Sequence, residues 1–416
     1  MSSRENILEH STVEDIKSSG IPVIIFGSGV VGEALFQAGI ATGLEIECFC
    51  DNNINKTKHL LFDKTICHTG DLNSKYPDAH FLISAADIQD VVSQLHSLNY
   101  DRWYPCSLLL REFDVSKYKF AAPYFAEYAI GTCLLCHDCY LNPDRLFLRS
   151  VDIVITERCS LKCRDCSNLM QYYHEPVDYK QSEIIRMIDA FCNIVDEVNE
   201  FRVIGGEPFM NREFHLTVQR LADEAKVKKI IIYTNGTIVP QAHQLAPLKN
   251  SKVLVFISDY GPLSGNLAKL VAVLQAHEIA YFVRPAQGWT DCAGILKHQR
   301  GVTEHIDIFR KCCARNLATL SAGQLFRCPF AANASKLKAV PDFKNDYIDL
   351  LAPSSHDVLE MKNQIRSFLI DKDFLETCDY CNGRPFDAPE IKPAVQTYVP
   401  LKYDLIHNSD HSGRLL

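Results

Sequence analysis

Short apolar runs alternate with amphipathic stretches along most of this chain. Residues 22–26 and 45–50 are apolar runs of strand length, and residues 33–41 between them carry apolar positions at helical spacing. The same alternation predicts a strand at 80–85, a helix at 89–98 and a last apolar segment at 103–110. From residue 151 it becomes regular. Strands at 151–156, 200–204, 229–234 and 252–258 are accompanied by helices at 182–198, 213–225 and 266–277. Repeated strand–helix units predict parallel sheets, because a parallel crossover needs a dozen or more residues and a helix supplies them. The expected fold class is α/β, with an amino-terminal parallel sheet, a second strand–helix repeat and a small cysteine-rich carboxyl-terminal part.

The strand at 151–156 runs into Cys159, Cys163 and Cys166, spaced C-x3-C-x2-C. Thiolates are the usual ligands of iron–sulfur clusters, and three on one short loop leave one iron of a four-iron cluster open to an outside ligand. About forty residues on, Gly205-Gly206-Glu207-Pro208 closes the next strand. Structural zinc is the competing reading of the triplet, but zinc wants four ligands and no partner pair lies close by in sequence.

Together the two motifs resemble the radical S-adenosylmethionine (radical SAM) superfamily. The resemblance implies a partial (β/α)6 barrel with the cofactor at the strands' carboxyl ends. It also implies a 4Fe–4S cluster whose open iron chelates S-adenosylmethionine, and a glycine-rich turn that meets the methionine ammonium through backbone and acidic side chain. Thr234-Asn235-Gly236 resembles the family's turn of that composition, and Ser258 ends the following strand, so Thr234, Asn235 and Ser258 join Gly205, Gly206, Glu207 and Pro208 as expected cofactor contacts. Asp165 departs from the pattern, since an aromatic residue commonly stands there. The implied chemistry is one-electron reduction of the sulfonium by a carrier such as flavodoxin or ferredoxin, giving a 5'-deoxyadenosyl radical that abstracts hydrogen. Asp259 is a candidate to hold or deprotonate substrate, and Cys292 a candidate hydrogen donor.

Near the amino terminus, Gly27-Ser28-Gly29-Val30-Val31-Gly32 follows a strand and opens a helix, and Asp51 ends the second strand. Glycines 27, 29 and 32 suit a tight turn and close approach of a pyrophosphate at a helix start, and Asp51 stands where a ribose-binding acid would. The unit resembles Rossmann-like modules of sugar-modifying proteins. NAD or a sugar nucleotide suits it, as does a docking role with no nucleotide.

Four further thiols lie toward the carboxyl end. Cys313 is followed by Gly323 and Cys328, and then by the pair Cys378 and Cys381. The spacing resembles a shortened SPASM, or twitch, extension and implies an auxiliary 4Fe–4S cluster; zinc is the competing reading. Cys312 is adjacent and can substitute for Cys313. Cys133, Cys136 and Cys139, with His137 among them, fall near one face of a helix, as a metal site or as a buried seam against the barrel.

The expected domains are 1–115 (Rossmann-like), 116–150 (linker), 151–300 (barrel), 301–390 (auxiliary cluster) and 391–416 (tail). Composition adds little, with 47% hydrophobic and 23% charged residues over 416 positions. A net charge of −8 disfavours nucleic acid as partner. Residues 1–10 lack an apolar leader and no apolar run is long enough to span a bilayer, so the seventeen cysteines point to metal or redox chemistry in the cytoplasm. The expected reaction is dehydrogenation or epimerisation of a sugar, sugar nucleotide or other small polar metabolite. A peptide or protein maturase is the alternative, and a non-catalytic iron–sulfur redox or scaffold protein the second.

Overall fold

The computed structural model describes residues 12–118, 123–352, 357–385 and 388–403. It divides into two compact units, Met1–Arg145 and Leu146–Leu416. The polar stretch 1–10 and the histidine-bearing tail 407–413 lie outside the described residues.

In the first unit, short strands form a sheet of six. They are β1 (Val23–Phe26), β2 (Cys48–Asp51), β3 (Lys64–His68), β4 (His80–Ile83), β5 (Trp103–Tyr104) and an edge strand, Leu60–Leu61. The order is Leu60–Leu61, β3, β2, β1, β4, β5, and every pairing but the edge one is parallel. Taken by number, the parallel strands run 3-2-1-4-5, the order of a doubly wound sheet. Helix α1 (Val30–Thr42) leaves the glycine turn, and α2 (Ile88–Ser97) buries Ile88, Val91, Val92 and Leu95 at helical spacing.

Helix α3 (Pro123–Leu141) also belongs to this unit, so much of the stretch expected as a linker is structured. Ala126, Ile130 and Cys133 recur every three or four residues and share a core with Phe49 and Leu82. Cys136 and Cys139 are buried too. Cys133 therefore packs into this unit's own core.

The second unit is built on β6 (Phe147–Val154), α4 (Gln181–Ile194), β7 (Glu197–Ile204), α5 (Phe214–Asp223), β8 (Val227–Thr234), β9 (Val253–Asp259), α6 (Leu267–Ala276) and β10 (Tyr281–Pro285). Consecutive strands pair in parallel, in the order β10-β9-β8-β7-β6. After β10 the chain is mostly irregular until α7 (Val302–Lys311). The sixth parallel strand is β11 (Ala318–Ser321), which pairs with β6 and comes from the region expected to be a separate auxiliary domain. Antiparallel β12 (Gln324–Phe326) and β13 (Tyr347–Asp349) extend that edge, with helices α8 (Pro329–Lys336) and α9 (Val358–Ile370) completing the unit. The sheet is a partial barrel of five consecutive strands with a sixth added beside the first, not six in succession within 151–300.

Strand alternation sorts its two faces. Val151, Ile153, Phe201, Val203, Ile230, Ile232, Val255 and Ile257 share the core with the buried faces of α4 and α5. The intervening positions carry Asp152, Arg202, Tyr233 and Ser258, which line a cavity on the other face. Asp152 and Arg202 are register partners, joined by a 2.5 Å bond from Nε to Oδ1. Asp152 is 1% exposed. Among the described residues, no helix is long and apolar enough to cross a membrane.

Removing one partner of a buried ion pair strands the other charge. Asp152→Ala is expected to destabilise this unit by about 3 kcal/mol or more, read as a lower urea midpoint with unchanged slope under anaerobic conditions.

Candidate active site

Two turns at neighbouring strand ends form the centre of the site. The loop after β6 and the turn after β7 are joined backbone to backbone. Gly206 N–H donates to Thr156 O (3.1 Å) and Glu207 N–H to Arg158 O (2.8 Å). A Cβ on Gly205 would lie 2.3 Å from Thr156 O, and one on Gly206 would lie 2.2 Å from Arg158 O, so no larger residue fits either position. Asn168 Nδ2 donates to Gly205 O (3.1 Å) and brings the chain beyond Cys166 back to the same turn.

Glu207 is fully buried. Its Oε1 accepts from Thr234 Oγ1 (2.8 Å) and Phe209 N–H (3.2 Å), and its Oε2 from Asn235 N–H (2.7 Å). Burial pushes its carboxyl up to about 7 against the pull of those hydrogen bonds. The acid expected to meet an ammonium thus also fastens the glycine turn to the end of β8. Pro208 is buried at the start of the short helical turn that follows. Asn235 Nδ2 reaches Ser160 Oγ (3.1 Å) and Cys159 Sγ (3.7 Å), tying β8 to the cysteine loop.

The carboxyl-terminal segment closes the loop's other flank. Arg164 N–H donates to Val395 O and Thr397 N–H to Lys162 O, both at 2.7 Å. Gln396 Oε1 accepts from Lys162 N–H (2.7 Å), while its Nε2 donates to Cys163 Sγ (3.3 Å). The region expected as a tail is therefore, through residue 403, part of the folded unit; it satisfies backbone groups that the cysteine loop would otherwise leave unpaired.

A cavity of about 520 Å³ is lined by Cys159, Cys163, Cys166, Gly205, Gly206, Thr234, Asn235 and Ser258. The predicted cofactor set, Glu207 and Pro208 apart, therefore meets in one place. Burial pushes Cys159 and Cys166 up, and Cys163 up to about 11. Three desolvated thiols resist ionisation by themselves, and a cationic iron–sulfur core supplies the counter-charge that thiolate ligation needs, so the donor set fits such a cluster.

Cys292 lines the same cavity, 3% exposed, and burial pushes its thiol up to about 11. Asp259 is not among the lining residues. Its Oδ1 accepts from Gly261 N–H (2.8 Å) and caps the turn, because strand alternation turns Ser258 and Asp259 to opposite sides. The acids in the cavity are Asp152 and Asp165, and Asp165 is held by Arg164 (3.0 Å). Sequence reasoning missed Asp152, Arg202 and Tyr233. Their signal is polarity at alternate positions within apolar strands.

The carboxyl-terminal thiols divide between two compartments. Cys312, Cys328, Cys378 and Cys381 line an enclosed pocket with Phe309, Phe330 and Leu375, whereas Cys313 lines the large cavity. Cys312 is extended, and it and Cys313 pair with Pro385 and Arg384, so the adjacent side chains face opposite ways. The enclosed pocket thus brings Cys312, which spacing offered as the substitute, beside Cys328, Cys378 and Cys381, while Cys313 faces the large cavity. Arg327, 5% exposed, also lines the pocket and has no carboxylate partner among the described residues. Its guanidinium donates to Phe368 O (2.7 Å) and Arg315 O, while burial lowers its pKa to about 10. A buried cation beside four thiols fits an anionic tetrathiolate centre.

In the first unit the glycine turn forms as expected. Gly27 has φ +103°, and a Cβ on Gly32 would lie 2.1 Å from Gly27 O. Gly29 precedes α1 and accepts its first backbone bond, from Glu33. Asp51 is already engaged, accepting from Ser28 N–H (3.2 Å), Ser28 Oγ (2.7 Å) and Lys56 Nζ (2.7 Å). Burial opposes its ionisation, yet Lys56, Ser28 and Asn53 hold its carboxyl below the usual range. Cys106, Cys133 and His137 lie together, but His137 Nδ1 accepts from Cys106 N–H (2.9 Å) and Nε2 faces Ala85 O (2.8 Å). Both ring nitrogens are thus taken by backbone groups, which favours a buried seam over a metal site.

The second unit is an α/β partial barrel with a three-thiol centre at its carboxyl-terminal rim. Residues 153–258, about a quarter of the chain, match the family model described as Radical SAM superfamily. That match implies a 4Fe–4S cluster and S-adenosylmethionine at this segment. Among curated relatives, GTP 3',8-cyclase of Clostridium acetobutylicum is 31% identical over 97 residues, 22% of this chain and 30% of that protein. The mitochondrial GTP 3',8-cyclase of Arabidopsis thaliana is 33% identical over 99 residues, 23% of this chain and 24% of that one. The chain thus matches less than a third of their length. A solved structure of BtrN in complex with AdoMet and 2-DOIA aligns with 57% of this chain and 93% of its own, at 14% identity and a TM-score of 0.36.

Gly206→Ala is expected to part the two turns and abolish loading of the three-thiol site, seen as lost iron and visible absorbance after reconstitution. Cys312→Ala should lose the iron of the second pocket while Cys313→Ala keeps it. Equal loss in both variants would contradict the assignment.

Proposed function

We propose that the second unit is a radical SAM enzyme with one auxiliary cluster, which abstracts hydrogen from a sugar, a nucleotide or another small polar metabolite, with dehydrogenation or epimerisation as the net outcome. The observation that carries this reading is the shared cavity, where the three thiols and cofactor turns face Asp152, Arg202, Tyr233, Cys292 and Cys313. The name of the curated relatives keeps nucleotides in the substrate class.

The cluster and S-adenosylmethionine, when bound, supply a primary carbon radical. This chain's residues position and contain it. Gly205 and Gly206 let the backbone come close to a ligand, and Asn235 holds the loop that carries Cys159. Tyr260 and Trp289 meet edge to face, with ring centroids 5.9 Å apart, and both line the cavity, where they exclude water. The Asp152–Arg202 pair fixes polar groups on the cavity floor for substrate hydroxyls or amides. Cys292 and Cys313 are thiols within the cavity, where either could return a hydrogen atom to a substrate radical. A second cluster on Cys312, Cys328, Cys378 and Cys381 would supply an electron acceptor. Initial reducing equivalents would come from a small carrier such as flavodoxin or ferredoxin. For the first unit, the engagement of Asp51 by Ser28 and Lys56 favours docking over binding of NAD or a sugar nucleotide.

Anaerobically reconstituted protein, given dithionite and S-adenosylmethionine, is expected to release 5'-deoxyadenosine, measured by chromatography and mass spectrometry. Deuterated nucleotides or sugars should pass label to that product. Its absence from protein with both clusters loaded would sink the enzyme reading, and label arriving only from peptides would replace the substrate class.

A further inference from the structure

The charged residues that line the large cavity are Asp152, Asp165, Arg202 and Arg384. Three of them are matched. Arg202 pairs with Asp152 at 2.5 Å, and Asp165 pairs with Arg164 at 3.0 Å. Arg384 forms no ion pair among the described residues, and its Nε is buried without a hydrogen-bond partner. Leaving a guanidinium half-buried and unmatched is costly unless a ligand completes it.

Its position is fixed by backbone. Arg384 O accepts from Cys313 N–H (2.9 Å), and the neighbouring Pro385 bridges to Cys312. This short antiparallel contact lies between the pocket of four thiols and the large cavity. Gly383 lines the pocket and Arg384 the cavity, so the guanidinium is delivered to the substrate side. On the pocket side a different cation, Arg327, already accompanies the thiols.

We propose that Arg384 forms a cationic subsite for an anionic group, a carboxylate or a phosphate, on the substrate that enters the cavity. The planar guanidinium suits either oxyanion through paired N–H donors. The inference rests on the reading of this cavity as the substrate site, and it narrows the class from polar metabolites to anionic ones.

The test uses reconstituted holoenzyme saturated with S-adenosylmethionine and titrated calorimetrically with inorganic phosphate, pyrophosphate and succinate. Wild type is expected to bind at least one of them saturably. Arg384→Gln should weaken that binding about tenfold or more, and Arg384→Lys by less, with the iron content of both variants as in wild type. Preference for phosphate or pyrophosphate identifies a phosphoryl group, and preference for succinate a carboxylate. The proposal is overturned if wild type binds none of the three or if Arg384→Gln binds as wild type does. It is also overturned if Arg384→Gln loses iron from the four-thiol pocket with anion affinity unchanged, since Arg384 would then be a counter-charge of that cluster. A wild-type enzyme that binds anion through Arg384 yet makes no 5'-deoxyadenosine would sink the reaction and leave the subsite standing.

Discussion

The backbone contact between the turn at Gly205 and Gly206 and the loop at Thr156 to Arg158 is the constraint on which the second unit depends. Its two hydrogen bonds join the ends of adjacent parallel strands, and its closeness excludes any side chain at either glycine. Through Glu207 it extends to β8, and through Asn168 to the chain beyond Cys166. Three thiols on an irregular loop are thereby held by the rigid sheet rather than by the loop's own stiffness. A reactive centre needs that support, because small displacements of a reacting group cost large factors in rate.

Polar groups in this unit are distributed by the two-residue period of its strands. One face packs Val, Ile and Phe against helices, and the other offers Asp152, Arg202, Tyr233 and Ser258 to the cavity. Buried charges are tolerated because they are paired across register, Asp152 with Arg202. The same period divides Cys312 from Cys313 and Ser258 from Asp259. The site is thus a product of strand geometry as much as of its motifs.

Much of this was legible in the sequence, for physical reasons that also mark where reading stopped. The cysteine triplet and the Gly205–Gly206 turn are local, so spacing was enough to find them, and the strands and helices around them follow from hydrophobic period. The bonds that Glu207 makes to Thr234 and Asn235 could not be read from spacing, because those residues lie in another turn far along the chain. Gln396 was assigned to a tail because an extended segment without apolar period looks unstructured until its hydrogen-bonding partner is known. Cys313 was preferred over Cys312 on its offset from Gly323, but the direction of a side chain depends on strand pairing, which spacing does not record. The 116–150 stretch was read as a linker although Ala126, Ile130 and Cys133 had the spacing of a core-facing helix.

The pairing of Cys312 and Cys313 with Arg384 and Pro385 has a consequence for how this chain can change over time. Point substitutions around it trade one side chain for another, but an insertion or deletion of one residue there would invert the whole segment. The pocket-facing thiol would enter the open cavity, and its neighbour would enter the closed pocket. Length, more than identity, is what selection must guard between α7 and β11.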